Sequence, residues 1–318
     1  MKNFLKKILT KLRAFFTHKL DSKMDKLTQL QATLLSKQHK ELYKRTINGG
    51  GGQVDIRHFE FSAYSQNGED GILDLLIEIL ELDSPHSPYP RAFVEFGVQD
   101  YTESNTRYLL KKRNFMGFIM DGNATHIESI KKDEIYWKHD LQAQCAFITK
   151  ENINTLIKQW LDSRKLENIA LLSIDIDGVD YFVWEAIECV NPAIVVVEYN
   201  AVFGDELCVS VPYRADFERF AAHFSGLYFG ASIKALIALG KAKGYVFIGA
   251  DSSGTNLFFI HKSLESKLCF TTAPLQEYCS IHHARQSRDT FGNLSFLQGD
   301  ERLRAIEHLP LHTCKDFD

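Results

Sequence analysis

Between residues 92 and 198, five short apolar runs recur, each separated from the next by an amphipathic stretch of helical spacing. The runs at 92–96, 117–120, 146–149, 170–174 and 193–198 are too short for core helices and too continuous for a sheet with one wet face. They read as strands buried on both sides. Segments 105–112, 127–133, 152–163 and 182–189 repeat apolar residues three and four apart and read as the connecting helices. Strands and helices that alternate over short connections demand a parallel sheet covered on both faces. After a helix at 231–241, the runs 244–249 and 255–260 flank Ala250-Asp251-Ser252-Ser253-Gly254, a five-residue turn that makes them a hairpin. The expectation is a Rossmann-like, doubly wound, mostly parallel α/β sheet closed by an antiparallel C-terminal hairpin.

The N-terminal segment is a separate electrostatic object. Residues 1–48 carry twelve Lys/Arg against Asp21, Asp25 and Glu41, a net +9 in a chain whose total is −4, so the remainder stands at −13. That remainder argues against nucleic acid as a partner. Phe4, Leu5, Ile8, Leu9, Leu12, Phe15 and Phe16 alternate with Lys2, Lys6, Lys7, Lys11 and Arg13, the pattern of a basic amphipathic helix able to lie on an anionic membrane through residues 1–20. Leu20, Leu27 and Leu34, at seven-residue intervals and joined by Met24 and Leu30, suggest a homo-oligomer contact within residues 20–45. A solvated helical extension doing neither is the plain alternative. Residues 49–60, opening on four glycines, read as a linker, residues 61–262 as the main domain, and 263–318 as a tail packed on it. Ser65, ahead of Glu69 and Asp70, reads as the cap of the domain's first helix.

Six scattered cysteines without a CxxC pair, and charges interrupting every long apolar run, predict an unprocessed cytoplasmic chain, if membrane-associated then peripherally at the inner face. Cys279, His282, His283, His312 and Cys314 in the tail fit no standard zinc spacing.

In open α/β sheets, ligands sit beyond the carboxyl ends of the strands, so those ends are where chemistry is sought. The fourth run ends in Ser173-Ile174-Asp175-Ile176-Asp177-Gly178-Val179-Asp180. Gathered carboxylates repel unless a cation, a ribose or a reacting proton offsets them, which makes Asp175, Asp177 and Asp180 catalytic candidates. A solvated Asp-Gly turn is the bland reading. The first run ends in Glu95-Phe96-Gly97, whose single glycine fails the dinucleotide fingerprint and disfavours NAD. The second ends in Met120-Asp121-Gly122-Asn123, an acid placed to accept ribose hydroxyls, with an Asx turn as its structural alternative. Asp140, before the third run, is a candidate for an adenine amino group, and the fifth run ends in Glu198-Tyr199-Asn200.

Ser65-Gln66-Asn67-Gly68-Glu69-Asp70, Val94-Glu95-Phe96-Gly97, Leu172-Ser173-Ile174-Asp175-Ile176-Asp177-Gly178, Val197-Glu198-Tyr199-Asn200 and Gly230-Ala231-Ser232 together resemble the FkbM-type branch of class I S-adenosylmethionine-dependent methyltransferases, over residues 61–262. The resemblance implies a seven-stranded sheet and an O-methyltransferase acting on a hydroxyl of a sugar, glycan or related small molecule. It also implies a cofactor site at Gln66, Glu95, Gly97, Asp121, Asn123 and Asp140. The chain departs from better-known members in having one glycine in the first motif.

Methyl transfer to a hydroxyl requires alignment and a more nucleophilic oxygen, from a carboxylate base or from Mg²⁺ or Mn²⁺ bound by oxygen donors. Asp175, Asp177, Glu198 and Asn200 are the candidate metal ligands, in an arrangement similar to catechol-type O-methyltransferases. Tyr199 and Tyr213, at the start and middle of the long 199–228 segment, are candidate substrate contacts. Two other classes remain: a metal-dependent nucleotide-sugar glycosyltransferase using Asp175-Ile176-Asp177, and a catalytically inactive, membrane-recruited interaction module.

Overall fold

The structure, a computed structural model, describes residues 2–48, 54–279 and 287–315, and only the backbone of residues 2–18, 21 and 22. The glycines at 49–52, His282 and His283 fall outside the described residues, as do the side chains of the expected membrane-binding stretch up to residue 18.

A single helix, α1 (Lys2–Asn48), spans the N-terminal extension. Residues 54–60, expected to belong to a linker, are built into the domain: a 3-10 turn at Ile56–Phe59 buries Ile56 and Phe59. Then follow α2 (Glu69–Ile79), β1 (Ala92–Phe96), α3 (Arg107–Arg113), β2 (Met116–Asp121), α4 (Ala124–Lys132), α5 (Glu134–Lys138), β3 (Leu141–Cys145), α6 (Ile153–Arg164), β4 (Leu171–Ile174), α7 (Asp180–Ala186) and β5 (Ile194–Glu198). A short strand β6 (Val209–Ser210) and helix α8 (Arg219–Ala222) precede α9 (Ile233–Ala242) and the hairpin β7 (Tyr245–Ala250) and β8 (Asn256–His261). Helices α10 (Leu275–Cys279) and α11 (Asp300–Arg304) and strand β9 (His312–Thr313) form the tail, which returns to pair β9 with β6.

Seven strands form one sheet in the order β3-β2-β1-β4-β5-β8-β7. β1 to β5 run parallel, and β8 is antiparallel to both β5 and β7. This is the doubly wound sheet closed by a hairpin that the alternation predicts. Successive residues of β1 explain why it reads as a continuous apolar run. Val94 and Phe96 join the layer with α6, α7 and α9, while Phe93 joins the opposite layer with α2, α3 and α4. The chain proceeds outward through β2 and β3, then crosses back to place β4 on the other flank of β1. The carboxyl ends of β1 and β4 therefore border the crevice of the switch point.

Two local expectations are corrected. The helix expected to be capped by Ser65 begins at Glu69, after Gly68 in the left-handed region at φ 113°. Ser65 Oγ accepts the Asp70 amide at 3.0 Å, while Asp70 Oδ2 accepts the amides of Ala63, Tyr64 and Ser65. The third strand is residues 141–145 and not 146–149. As the edge strand it alternates buried Leu141 and Ala143 with half-exposed Gln142 and Gln144, so its pattern is period two rather than a solid apolar run.

Candidate functional site

Glu95, near the end of β1, is 5% exposed and turned into the loop that follows. Its carboxylate accepts from Ser104 Oγ at 2.6 Å, from the amides of Asn105 and Thr106 at 2.9 and 3.3 Å, and from the Thr106 hydroxyl. Burial pushes its pKa up, against these donors. Glu95 thus holds the loop at residues 104–106 against the end of β1. Gly97 sits at φ 82°, and a Cβ there would lie 1.4 Å from the Asp175 carbonyl oxygen. Only glycine lets the ends of β1 and β4 approach this closely.

Asp121, the last residue of β2, is 8% exposed. Its Oδ2 accepts the Gln99 amide at 2.8 Å, tying the β1 loop to the β2 loop, and its Oδ1 accepts the Asn123 amide at 2.8 Å. The Asx turn named as the structural alternative is therefore present. Asn123 caps α4, its Oδ1 accepting the Thr125 amide at 2.9 Å.

Asp121 borders a cavity of about 330 Å³ whose walls also include Gly97, Gln99, Asp175, Asp177, Phe147, Ile148 and the 217–221 segment. Gly97, Gln99 and Asp175 also border a smaller, more polar cavity of about 80 Å³, with Gln66, Glu95, Ser104 and Asn256. An apolar slot and a polar recess meet at Gly97.

At the ends of β4 and β5, Asp175, Asp177 and Glu198 bring carboxylate oxygens within 4.8 Å of one another. Asp177 is held at φ 56°, a conformation Asp tolerates better than most residues. Arg219 Nη1 donates to Asp177 Oδ1 at 2.6 Å, and its Nε donates to the Gly226 carbonyl at 2.6 Å. The same guanidinium lies 3.5 Å from the centroid of Phe229, so a cation from the 199–228 segment closes over the acids.

The remaining candidates are placed differently. Asp180 is fully buried, its two carboxylate oxygens accepting the amides of Ile176 and Gly178 at 2.8 and 3.0 Å; it holds the acidic loop from behind. Burial and the neighbouring Asp175 push its pKa up to about 7. Asn200 donates from Nδ2 to the carbonyls of Leu227 and Phe229 and accepts the Val202 amide at Oδ1, so it fastens the covering segment instead of joining the acid cluster. Tyr199 is buried and donates to the Tyr278 carbonyl at 2.6 Å, packing the tail. Tyr213 lies outside both cavities, bonded to Glu151 with Lys150 Nζ 4.2 Å from its ring centroid.

Asp140 is a correction. With β3 at residues 141–145 it stands at the amino end of that strand, the sheet edge opposite the cavities, and its carboxylate pairs with Arg164 at 2.8 Å. The residues that do extend from the carboxyl end of β3 into the cavity are Ala146, Phe147 and Ile148. Their apolar run was visible in the sequence but read as the strand itself. Phe217 and Arg219 carried no signal beyond lying in a long segment after the fifth strand.

No family model and no curated protein matches this chain. Among solved structures, the N-terminal domain of EvdMO1 with SAH bound is similar at 10% identity over 70% of this chain and 96% of its own, with a TM-score of 0.40. An S-adenosylmethionine-dependent methyltransferase from Clostridium acetobutylicum ATCC 824 is 10% identical over 71% of this chain and 98% of its own, TM-score 0.38. The CurJ carbon methyltransferase is 11% identical over 64% and 56%, TM-score 0.38. At these values the likeness adds nothing to the strand order, which stands on the pairings themselves.

Proposed function

We propose that the chain is an S-adenosylmethionine-dependent O-methyltransferase acting on a hydroxyl of a sugar, glycan or related small molecule. One observation carries the reading. A buried acid at the end of β2 and an acid cluster at the ends of β4 and β5 lie on opposite sides of Gly97, with Asp121, Asp175 and Asp177 lining one cavity. That division suits an adenosyl group on the β2 side and a hydroxyl acceptor on the β4 side.

The residues present fit the cofactor's parts. Asp121 offers the ribose an acceptor already fixed by two amides, Phe147, Ile148 and Phe217 offer a flat base apolar surface, and the polar recess at Gln66 and Ser104 suits an amino-acid end. S-adenosylmethionine would supply an electrophilic methyl group. The chain's own work is to exclude water beneath the 217–221 segment, to orient the acceptor, and to take the hydroxyl proton on a carboxylate of Asp175 or Asp177.

Asp175, Asp177 and Glu198 also have the hard oxygen donors that suit Mg²⁺ or Mn²⁺, which would lower the pKa of an acceptor hydroxyl. Arg219 already supplies one positive charge to that cluster.

Calorimetry with S-adenosylhomocysteine and with UDP, followed by transfer of labelled methyl to a panel of glycans, tests the proposal. We expect S-adenosylhomocysteine to bind, and methyl incorporation to vanish in Asp175→Ala and Asp177→Ala. Binding of UDP alone would transfer the acidic cluster to a glycosyltransferase reading. A folded protein that binds neither would be a non-catalytic module.

A further inference from the structure

Over its described side chains, helix α1 is fastened to the domain along one face. Ala32, Ser36, His39 and Tyr43 are buried there, with Tyr43 packed 6.1 and 5.4 Å from the ring centroids of Phe59 and Phe270. Asp25 accepts from Tyr64 Oη at 2.6 Å and from Lys111 Nζ at 2.8 Å, and Lys40 pairs with Glu78 at 2.8 Å. Docking uses the small Ala32, the rings of His39 and Tyr43, and these ion pairs. The leucines of the same helix from Leu20 to Leu42 are all exposed.

Leu20, Met24, Leu27, Leu30 and Leu34 are 54–60% exposed, and by helical rotation they lie roughly opposite the Asp25–Ser36–Tyr43 line. Single exposed apolar residues need no explanation, whereas five on one face of one helix form a patch. Lys19, Lys23, Lys26, Lys37 and Lys44 are exposed along one flank of this stripe, and among the described side chains away from the docked face Glu41 is the one acid.

We propose that this face of α1, residues 19–45, rests on an anionic lipid bilayer, with the leucines at the acyl boundary and the lysines among the headgroups. Charge decides between this and a second copy of the chain. With Leu20, Leu27 and Leu34 at one seam position of a helix pair, the other position holds either Leu30 among Lys23, Lys37 and Lys44, or Met24 followed by Gln31 and Gln38, so neither register gives a continuous apolar seam. Pairing two copies would gather Lys19, Lys23, Lys26, Lys37 and Lys44 along the contact, with Glu41 the one acid among the described side chains of that surface to meet them. An anionic leaflet supplies the missing countercharge. No described helix is long and apolar enough to cross a membrane, so the contact is a surface one.

The test is co-sedimentation of the full chain with phosphatidylcholine vesicles, with and without phosphatidylserine, alongside light scattering in solution. We expect sedimentation that needs phosphatidylserine, weakens with salt, and falls about tenfold or more in the Leu27→Glu/Leu30→Glu/Leu34→Glu variant and in Lys19→Ala/Lys23→Ala/Lys26→Ala. Because these side chains are exposed, thermal unfolding should be unchanged, which separates lost docking from lost folding. A wild-type chain that stays in the supernatant, or a leucine variant that sediments like wild type, would overturn the proposal. So would a wild-type dimer that becomes monomeric in the leucine variant without vesicle binding, since the occupant would then be a second copy.

Discussion

Arg219 Nη1 lies 2.6 Å from Asp177 Oδ1 and joins α8 to the end of β4. The guanidinium is almost wholly buried at 6% exposure, while the carboxylate is 39% exposed at the edge of the cavity. A covering segment is thereby latched to one of the acids proposed to meet the acceptor, and anything that recruits Asp177 must do so beside a fixed positive charge.

Arg219→Met keeps an unbranched apolar stem and removes that latch. It loses the Asp177 and Gly226 contacts, and with Asp177 partly in water the expected cost is about 2 kcal/mol rather than the larger value of a fully buried pair. Urea unfolding reads the stability. Turnover should fall further than cofactor affinity, because the latch lies on the acceptor side of Gly97; an unchanged methylation rate would argue against that placement.

Gly97→Ala should be among the most damaging single-atom additions in the domain. The new Cβ would meet the Asp175 carbonyl at 1.4 Å in a backbone conformation that already disfavours side chains. We expect a loss above about 3 kcal/mol and no measurable binding of S-adenosylhomocysteine. Gly122→Ala is the control: its Cβ would approach Cδ2 of the exposed Phe147 ring at 3.2 Å, for a cost within about 1 kcal/mol.

Two acids that look equivalent in the sequence should separate cleanly by calorimetry. Asp121→Ala frees the amides of Gln99 and Asn123 and should weaken S-adenosylhomocysteine by at least about tenfold. Asp140→Ala, at the opposite edge of the sheet, should leave affinity unchanged.

Asp180 gives a prediction in pH. Its folded pKa of about 7 lies above the ordinary value of 3.8, so its contribution is fully present below the ordinary value and is lost as pH rises through about 7. Asp180→Asn forfeits an acceptor for one of two amides and should be less stable than wild type at pH 5. That deficit should narrow by pH 8, where wild type carries the buried charge and the variant does not. A deficit that widens over this range, followed by urea unfolding at each pH, would contradict the assignment.

How far the sequence carried the site depends on what sets each residue's role. β1 was legible to the residue, because a strand buried on both faces writes itself as an unbroken apolar run. β3 was not, since an edge strand alternates; Asp140 precedes the strand in either reading, and its pairing with Arg164 away from the cavities is a contact that spacing does not encode. Asp175, Asp177 and Glu198 could be grouped in advance because parallel neighbours deliver their carboxyl ends to one edge. Asp180 and Asn200 sit within a few residues of them yet point into the loops, a choice of side-chain direction that spacing does not encode.

The sequence by itself determined the α/β alternation, the hairpin closure and the acidic edge, since these follow from periodicity and from the handedness of parallel connections. Only the tertiary structure decided that Glu95 and Asp180 scaffold loops, that Phe147 and Arg219 enter the site, and which face of α1 docks. Those outcomes depend on contacts between residues tens of positions apart, where burial and the need to satisfy backbone amides choose which polar groups face inward.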